Sequence, residues 1–263
     1  MSKTKVLEVE NLSFSYERNK TLISDICFSI DQGEIFTILG ANGSGKSTLL
    51  NCINGSFSPK TGSIRLLGRL LSEISIRERA GLMGCVPQIS VPTFNFTVRD
   101  YIVMGRAPHM EAFEVPKEKE YAIGQAVMER MGIIKLADKL VTQISGGERQ
   151  QVQIARVLAQ ESQLIILDEP TNHLDYGNQL RILDILKSLA YEGLSVVLTT
   201  HMPDHAILLD GKVGILDQFG QMNVGDVKNT ITEETLKRLY NTDLRLLYIR
   251  EIERVACVAG NIQ

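Results

Sequence analysis

The stretch GANGSGKST, residues 40–48, limits the fold more than any other part of the sequence, because it matches the phosphate-loop pattern G-x-x-x-x-G-K-[ST] in full. In such a loop the glycines let backbone N–H groups face phosphates, Lys46 reaches the β- and γ-phosphates, and the Ser47 hydroxyl can ligand Mg²⁺. The strand-like EIFTILG precedes the loop and the helix-like KSTLLNCING follows it. This order predicts a nucleotide-phosphate site. Its candidate residues are Gly40, Asn42, Gly43, Gly45, Lys46, Ser47 and Thr48.

A second apolar strand, in LIILDEP, ends in two adjacent carboxylates, Asp168 and Glu169. We expect both at the carboxyl edge of the sheet, beside the phosphate loop. There one acid can hold the metal, Asp168 in our assignment, while Glu169 orients and deprotonates water. A strand-ending acid pair could equally be a solvated turn, but its position after a complete phosphate loop favours the chemical role.

Three isolated side chains are further candidates, each with a purely structural alternative. His201 ends the strand SVVLTT, within expected reach of a γ-phosphate; a lone histidine is more often structural. Gln88 follows the strand GLMGCVP and is a candidate metal or water ligand. Tyr16 could stack on an adenine ring or could simply be an exposed tyrosine at the end of a strand. The remaining histidines are interpreted as structural: His109, His173 and His205.

A helix start in QISGGERQQVQIARVLAQ, residues 143–160, is the second feature suited to an anion. Ser145, Gly146 and Gly147 open a long amphipathic pattern. The first amides of a helix lack intrahelical partners and carry partial positive charge, so they favour a bound phosphate. A chain with one complete phosphate loop therefore carries a second helix end suited to phosphate.

Composition excludes several classes of function. The 28 basic and 31 acidic residues are interspersed and give a formal net charge of −3, which disfavours nucleic acid as a partner. The four cysteines are far apart and form no C-x-x-C pair, so neither a zinc site nor a disulfide framework is predicted. The opening MSKTKVLEVE lacks a signal-peptide apolar region, and no uninterrupted apolar run approaches roughly 18 residues. We expect a chain that does not cross a membrane by itself.

The pattern along the chain predicts a single domain, residues 1–263, with two lobes. Apolar strand runs near both ends are typical of a parallel sheet covered on both faces, and they place a core lobe at about 1–87 and 161–263. Helical patterns dominate about 88–160, which we interpret as an inserted helical lobe. Beyond about residue 210, short strands lead to a polar helix, TEETLKRLY, and a strand, DLRLLYI.

The sequence resembles the ATP-binding cassette subunits of ABC transporters over essentially the whole chain. The resemblance lies in the order and spacing of Tyr16, the phosphate loop, Gln88, SGGER, LIILDE, TNHLD and His201. The resemblance implies an α/β fold: a P-loop NTPase core of mainly parallel sheet, an N-terminal antiparallel β subdomain and an inserted helical lobe. It implies hydrolysis of ATP with Mg²⁺, the metal being held by Ser47, Gln88 and Asp168, with Glu169, His201 and Gln88 as catalytic residues.

The same resemblance implies a head-to-tail dimer of two copies, in which the signature helix of one copy caps the γ-phosphate held by the other. Ser145, Gly146 and Gly147 would then bind the ATP of the second copy, and Asp175 in TNHLD joins the nucleotide-binding set. Glu148 stands where the family commonly has Gln, which we interpret as a tolerated variant.

A narrower resemblance comes from FNFTVRDYIVMGRAPHM, residues 94–110, and from the tail GDVKNTITEETLKRLYNTDLRLLYI. Both are similar to the ATPase subunits of importers for iron chelates, haem and vitamin B12, with molybdate or tungstate importers close by. The resemblance implies a polytopic membrane permease as partner, indirectly a substrate-binding protein, and a cytoplasmic location on the inner face of the membrane. Residues near Gln88 and 105–109 are expected to lie near the permease.

Two rival functions use the same phosphate loop. One is a soluble cassette in iron–sulfur assembly, on ribosomes or in DNA repair; ribosome-acting members usually carry two cassettes and repair members a long coiled coil, and this sequence shows neither. The other is a small-molecule phosphotransferase, which has no use for SGGER. Neither rival accounts for the whole set of motifs.

Overall fold

The structure, a computed structural model, describes residues 4–17, 21–88, 95–111 and 113–260. Phe94, which begins the segment similar to chelate-importer subunits, lies outside these ranges. The strands are β1 Lys5–Phe14, β2 Ile23–Asp31, β3 Ile35–Leu39, β4 Thr61–Leu66, β5 Arg69–Leu70, β6 Met83–Val86, β7 Leu164–Leu167, β8 Ser195–Thr200, β9 Lys212–Leu216, β10 Met222–Asp226, β11 Leu244–Ile249 and β12 Arg254–Ala259. The α-helices are α1 Lys46–Ile53, α2 Ile76–Leu82, α3 Val98–Val103, α4 Glu118–Arg130, α5 Gly146–Leu158, α6 Tyr176–Tyr191, α7 Pro203–Leu209, α8 Val227–Thr230 and α9 Glu233–Tyr240.

A six-stranded sheet in the order β10-β9-β3-β8-β7-β6 forms the centre of the molecule. Its strands are parallel except for β10, which runs antiparallel to β9. Every residue of β3, β7 and β8 is buried, as expected for strands covered on both faces. The predicted parallel core is confirmed.

The topology brings four predicted site segments to one edge of this sheet. The phosphate loop follows β3, Gln88 follows β6, Asp168 and Glu169 follow β7, and His201 follows β8. The carboxyl ends of parallel strands meet at the same edge, which is where open α/β sheets bind ligands. Hydrogen bonding fixes part of this edge, since the Gly40 amide donates to the Thr200 carbonyl at 3.3 Å.

A second sheet, in the order β2-β1-β4-β5, is antiparallel. This confirms the predicted N-terminal antiparallel subdomain. Side chains from β1 and β2 share one core cluster with β3 and α1, among them Leu12, Ile23, Phe36 and Leu49, all fully buried. The cluster therefore fixes the N-terminal sheet against the strand and helix that flank the phosphate loop.

Helices α3, α4 and α5 lie between β6 and β7. They pack through Val98, Ile102, Met128 and Val152, which belong to one buried cluster. A 3₁₀ segment, Met104–His109, continues α3. The helical insertion is confirmed as part of the fold, while the lobe boundaries at 88 and 160 remain a prediction.

The last part of the chain packs against α7. The predicted polar helix is α9, with its first turn capped by Thr232, and the predicted strand is β11. The structure adds β12, which pairs antiparallel with β11 and which the sequence pattern left unassigned. Among the described residues, no helix combines the length and apolar character needed to cross a bilayer.

Candidate nucleotide site

The phosphate loop has the conformation that a phosphate requires. Gly43 and Gly45 adopt φ of 82° and 99°, in the left-handed region that favours glycine. Gly45 is also the N-cap of α1, and no side chain caps this helix, so the first amides of α1 are not engaged by a capping side chain. The Ser44 hydroxyl oxygen is buried without a hydrogen-bond partner. These groups fit an anion with several oxygens.

Lys46 is the positively charged group of this loop, and its side chain is only 5% exposed. Its ammonium donates to the Gly40 carbonyl at 2.9 Å and to the Ala41 carbonyl at 3.1 Å. The same nitrogen lies 3.2 Å from Glu169 Oε1. A buried cation needs such compensation, so a bound phosphate would replace part of it.

Glu169 lies at the centre of the sheet edge. Its Oε2 accepts hydrogen bonds from Gln88 Nε2 at 3.2 Å and from Asn172 Nδ2 at 3.0 Å, and it lies 3.5 Å from His201 Nδ1. The residue has φ of 45°, which is uncommon for a side chain other than glycine and is often found at functional sites. The structure thus brings Lys46, Gln88, Glu169 and His201 together, as the sequence predicted.

Asp168 is oriented by a residue that the sequence analysis missed. Thr199, in β8, donates its hydroxyl to Asp168 Oδ1 at 2.7 Å and accepts from the Glu169 amide at 2.8 Å. One buried hydroxyl therefore orients both acids of the pair. The only sequence signal was the position of Thr199 two residues before His201 in a buried strand.

Ser47, Gln88 and Asp168 offer the oxygens that Mg²⁺ prefers. Ser47 is exposed at the start of α1, and Asp168 and Gln88 follow neighbouring parallel strands. Within the described ranges, no group of three or more His, Cys, Asp or Glu residues could hold a metal ion. The residues present fit a Mg²⁺ ion bound by a few protein oxygens together with a phosphate, which is its usual mode of binding.

Tyr16 lies beside the phosphate loop. Its hydroxyl is 3.0 Å from Thr48 Oγ1, and its ring packs edge-on against Phe14 and Phe57. The residue is nevertheless 66% exposed. An accessible aromatic side chain anchored at the loop fits the predicted adenine contact.

The second anion-directed helix start, at α5, has a capping box. Ser145 Oγ accepts from the Glu148 amide at 3.3 Å, while Glu148 Oε2 accepts from the Ser145 amide at 2.9 Å and from the Ser145 hydroxyl at 3.0 Å. The hydrogen bond from the Ser145 amide is the main cause that lowers the pKa of Glu148. The amides of Gly146 and Gly147 take no part in this box, and Gly146 is exposed.

Asp175 lies near α5 and caps α6. It accepts from the Asn178 amide at 2.9 Å, and this hydrogen bond is the largest cause that lowers the pKa of Asp175. Gly147 faces Asn178 so closely that a Cβ there would lie 2.6 Å from the amide carbon of Asn178. Across the described residues, no hydrogen bond or ion pair joins residues 145–148 or Asp175 to the phosphate loop.

The three histidines interpreted as structural have separate surroundings. His205 is buried, with Nδ1 at 3.2 Å from the hydroxyls of both Thr171 and Thr200. Burial, assisted by His201, lowers the pKa of His205 to about 4. His109 Nε2 lies 2.7 Å from the Gln160 carbonyl, and His173 is exposed with φ of 61°.

The fold and the convergence of Lys46, Asp168 and Glu169 define a P-loop nucleotide-binding protein. A family model described as "ABC transporter" matches residues 23–172. The chain therefore belongs to the ABC transporter family, as an ATP-binding subunit with ATPase activity. A second model, described as "AAA domain, putative AbiEii toxin, Type IV TA system", matches only residues 143–204.

Individual relatives extend the match to nearly the whole chain. The "Molybdate import ATP-binding protein MolC" of Haemophilus influenzae is 35% identical over 90% of this chain and 88% of its own length. The "Probable iron chelatin transport ATP-binding protein" of Helicobacter pylori is 34% identical, covering 92% of this chain and 96% of its own. A solved structure of an inward-facing ABC transporter, assigned to the metal-chelate type, aligns with a TM-score of 0.86 at 32% identity, over 98% of both chains.

Proposed function

We propose that this chain is the energy-coupling ATPase of an importer for a metal chelate such as an iron siderophore, haem or cobalamin. The observation that carries the proposal is the alignment over 98% of both chains with a structure assigned to the metal-chelate type. That alignment extends past the shared nucleotide core into the C-terminal part of the chain.

Glu169 is the general base in this proposal. Its carboxylate is anchored from several sides and lies beside the buried Lys46, so it is fixed where an attacking water would meet the terminal phosphate. Phosphate oxygens would replace Glu169 Oε1 as the partner of the Lys46 ammonium. The Glu169 oxygen would then be free to accept a proton. Mg²⁺, when bound by Ser47, Gln88 and Asp168, would neutralise charge on the β- and γ-phosphates.

His201 and Gln88 both lie near the same carboxylate oxygen of the base. His201 Nδ1 is 3.5 Å from Glu169 Oε2, and Gln88 Nε2 donates to the same oxygen. In our proposal His201 senses the γ-phosphate, while Gln88 links the phosphate to the helical part of the chain. Tyr16 supplies the adenine contact.

Each nucleotide is completed by a second copy of the chain. The start of α5 offers the exposed Gly146 and the Ser145 hydroxyl, with the buried Gly147 next in the helix, yet no hydrogen bond or ion pair of the described residues joins it to the phosphate loop. A head-to-tail dimer would place these groups and Asp175 at the γ-phosphate held by the other copy. ATP then favours the closed dimer because it binds that state more tightly than the open one.

The permease docks, we propose, in a groove of about 380 Å³ between the outer strand β6 and helices α2 and α5. Cys85 of β6, Gly105 and Pro108 line this groove. Ile76 lines it too and is 78% exposed, and Phe113, 104% exposed, lines an adjoining groove. Exposed apolar side chains at a concave surface are typical of protein contacts.

The groove is fixed to the far end of α5. Arg106, which is 3% exposed, donates to the Ala159 carbonyl at 2.7 Å, and Gly105 packs against the Arg156 carbonyl too closely for any side chain. A helix of 13 residues spans about 20 Å. When the start of α5 moves toward the nucleotide of the partner copy, the helix would move as one rigid body. Its far end would then displace the groove. This arrangement would keep the chain at the inner face of the membrane.

Reconstitution with the permease that pairs with this chain tests the proposal. Vesicles containing both proteins and ATP should take up a ferric siderophore, haem or cobalamin when the matching binding protein is present. Vesicles carrying Glu169→Gln should not. Uptake that continues unchanged with Glu169→Gln would show that this chain does not supply the energy.

A molybdate or tungstate importer is the second candidate, favoured by the 35% identical molybdate relative. The same vesicles distinguish the two candidates, because uptake of molybdate without uptake of any chelate would select the oxyanion. The purified chain alone is expected to bind Mg-ATP and none of these cargoes. Stoichiometric binding of a cargo by the chain alone, measured by calorimetry, would contradict a motor subunit.

A further inference from the structure

The C-terminal segment, residues 232–259, packs directly on the element that follows His201. Its helix α9 buries Leu236 completely in a cluster with Leu39, Ala206 and Val213. Leu39 is the last residue before the phosphate loop, and Ala206 belongs to α7. The C-terminal segment therefore shares a core with the sheet edge that forms the nucleotide site.

One hydrogen bond joins this segment to the backbone of His201. The Tyr240 hydroxyl, at the end of α9, donates to the His201 carbonyl at 2.7 Å across 39 positions of sequence. Tyr240 is partly buried and packs against the Leu236 cluster, so this cluster holds its ring in place. A short hydrogen bond from a side chain fixed in this way restricts the rotation of the His201–Met202 peptide.

A second contact holds α7 from the other end of the segment. The Cys257 amide of β12 donates to Asp204 Oδ1 at 2.9 Å. The segment is itself tied together, since Glu233 accepts from the Leu246 amide at 3.0 Å and Lys237 pairs with Asp243 at 2.8 Å. The C-terminal segment, which is stabilised by its own hydrogen bonds and ion pairs, therefore holds both residue 201 and residue 204.

The imidazole of His201 has weaker support of its own. Its Nδ1 is buried without a hydrogen-bond partner, and its nearest acid oxygen, Glu169 Oε2, is 3.5 Å away. The orientation of the ring therefore depends largely on the backbone that carries it. A change of a few tenths of an ångström in that backbone would alter the distance from the ring to Glu169.

We propose that Tyr240 is a positioning residue for ATP hydrolysis: its hydroxyl fixes the His201 peptide and so keeps the imidazole directed at Glu169 and the terminal phosphate. This inference rests on the role proposed above for His201. It gives the C-terminal segment a role in positioning a residue of the nucleotide site.

Tyr240→Phe tests the proposal, because it removes only the hydroxyl. Tyr248→Phe is the matched control, since Tyr248 belongs to the same segment and is 61% exposed. We expect Tyr240→Phe to lower kcat by about five-fold, the size typical of one neutral hydrogen bond. The Kd for ATP should stay within two-fold, and Tyr248→Phe should leave both values unchanged. An unchanged kcat in Tyr240→Phe would overturn the proposal.

The same change made in a His201→Ala chain separates positioning from general loosening. If Tyr240 acts through His201, its loss should lower kcat there by less than about 1.5-fold, because coupled residues are not additive. An equal fall in both backgrounds would mean that Tyr240 only stabilises the fold. If His201→Ala itself left kcat unchanged, the proposed role of His201 would fail first, and the proposal for Tyr240 with it.

Proton NMR of the imidazole signals gives a readout that does not depend on activity. The chain has four histidines, so the His201 signal is identified by its loss in His201→Ala. Tyr240→Phe should shift or broaden that signal and leave those of His109 and His173 in place. If Tyr240→Phe lowers the yield of folded protein, Asp204→Ala is the alternative variant. It removes the second contact and should shift or broaden the His201 signal in the same way. A His201 signal unmoved by both variants would contradict the proposal.

Discussion

The two phosphate-directed regions of this chain differ in how completely the chain satisfies them. At the phosphate loop, Lys46 is buried and the Glu169 side chain is 9% exposed, and both are held by several neighbours. At the start of α5, Gly146 is exposed, the amide and hydroxyl of Ser145 bond to Glu148, three residues away, and the Ser145 carbonyl accepts from the Arg149 amide at 2.9 Å. Both regions use unpaired helix amides, but only the first assembles acids, a lysine and a histidine around them.

This difference indicates what each region can do alone. The phosphate-loop region has the groups for binding and hydrolysis, whereas the α5 start has donors for phosphate and one acid, Glu148, whose carboxylate is engaged by Ser145 in the capping box. Substitutions in the first should therefore change nucleotide affinity or turnover directly. Substitutions in the second should act only through association of two copies.

The largest expected effect is that of Glu169→Gln. The amide keeps the shape of the side chain but cannot accept a proton from water, so we expect kcat to fall by a factor on the order of 10² or more. ATP binding should persist, and the ATP-bound dimer should accumulate. Phosphate release and size-exclusion chromatography measure the two effects. Turnover at the wild-type rate would exclude Glu169 as the base.

Lys46→Ala should chiefly weaken nucleotide binding. It removes a buried cation that can make charge-assisted hydrogen bonds to phosphate, each worth about 1.5–3 kcal/mol, so the Kd for ATP should rise by about 10- to 100-fold. Titration with a fluorescent ATP analogue gives this value. Ser145→Arg is the matched substitution at the other region, and in the monomer it should leave the Kd unchanged. If Lys46→Ala and Ser145→Arg weakened ATP binding by the monomer equally, the two regions would not differ in this way.

His205, which packs against Thr200 at the end of β8, should make the fold sensitive to acid. Burial lowers the pKa of His205 to about 4, so below pH 6.5 the unfolded chain takes up a proton that the folded chain does not. The contribution of His205 is therefore complete above about pH 6.5 and is lost as the pH falls, by about 2 kcal/mol at pH 5. His205→Gln should flatten the dependence of unfolding free energy on pH, measured by urea denaturation between pH 7 and pH 5. The control His109→Gln should retain the slope; an unchanged slope in His205→Gln would contradict the prediction.

Glu148→Gln should have the smallest effect. The glutamine oxygen can still accept from Ser145, so the capping box survives while a negative charge is removed beside the proposed site of the second copy's phosphate. The ATP-dependent dimer should dissociate a few-fold less readily, whereas the Kd of the monomer for ATP should not change. Analytical ultracentrifugation with Glu169→Gln present measures the difference. Weaker dimers would mean that the charge assists closure.

Local pattern was sufficient to predict the elements that carry the site. The phosphate loop, the acids after β7, His201 after β8 and the start of α5 all lie on the elements that the sequence predicted. Each depends on a short run of residues: glycines that permit a tight loop, apolar strands, or a capping serine. Topology then brings the strand ends together without further information.

Long-range contacts were not predictable in this way. Thr199 orients Asp168 across neighbouring strands, and Tyr240 reaches His201 through tertiary packing. A threonine in a buried strand and a tyrosine at a helix end have no distinctive spacing. Strand β12 was missed for a related reason, because its pairing with β11 follows a 3₁₀ turn at Arg250–Ile252 that no glycine or proline marks.

A shared nucleotide site requires that the α5 start of one copy meets the phosphate loop of another. Asn42 and Gly146 are both exposed, and a Cβ at Gly146 meets only Leu174, at 4.0 Å. Cysteines at these two positions therefore probe the contact with little disturbance. The background carries Glu169→Gln, and serine replaces the partly or fully exposed native cysteines Cys27, Cys85 and Cys257.

Oxidative crosslinking of this double-cysteine chain, with and without Mg-ATP, is the decisive measurement. We expect a covalent dimer that forms with Mg-ATP and is nearly absent without nucleotide or with either cysteine alone. No crosslink in the presence of ATP, or the same yield without it, would contradict a nucleotide site shared between two copies.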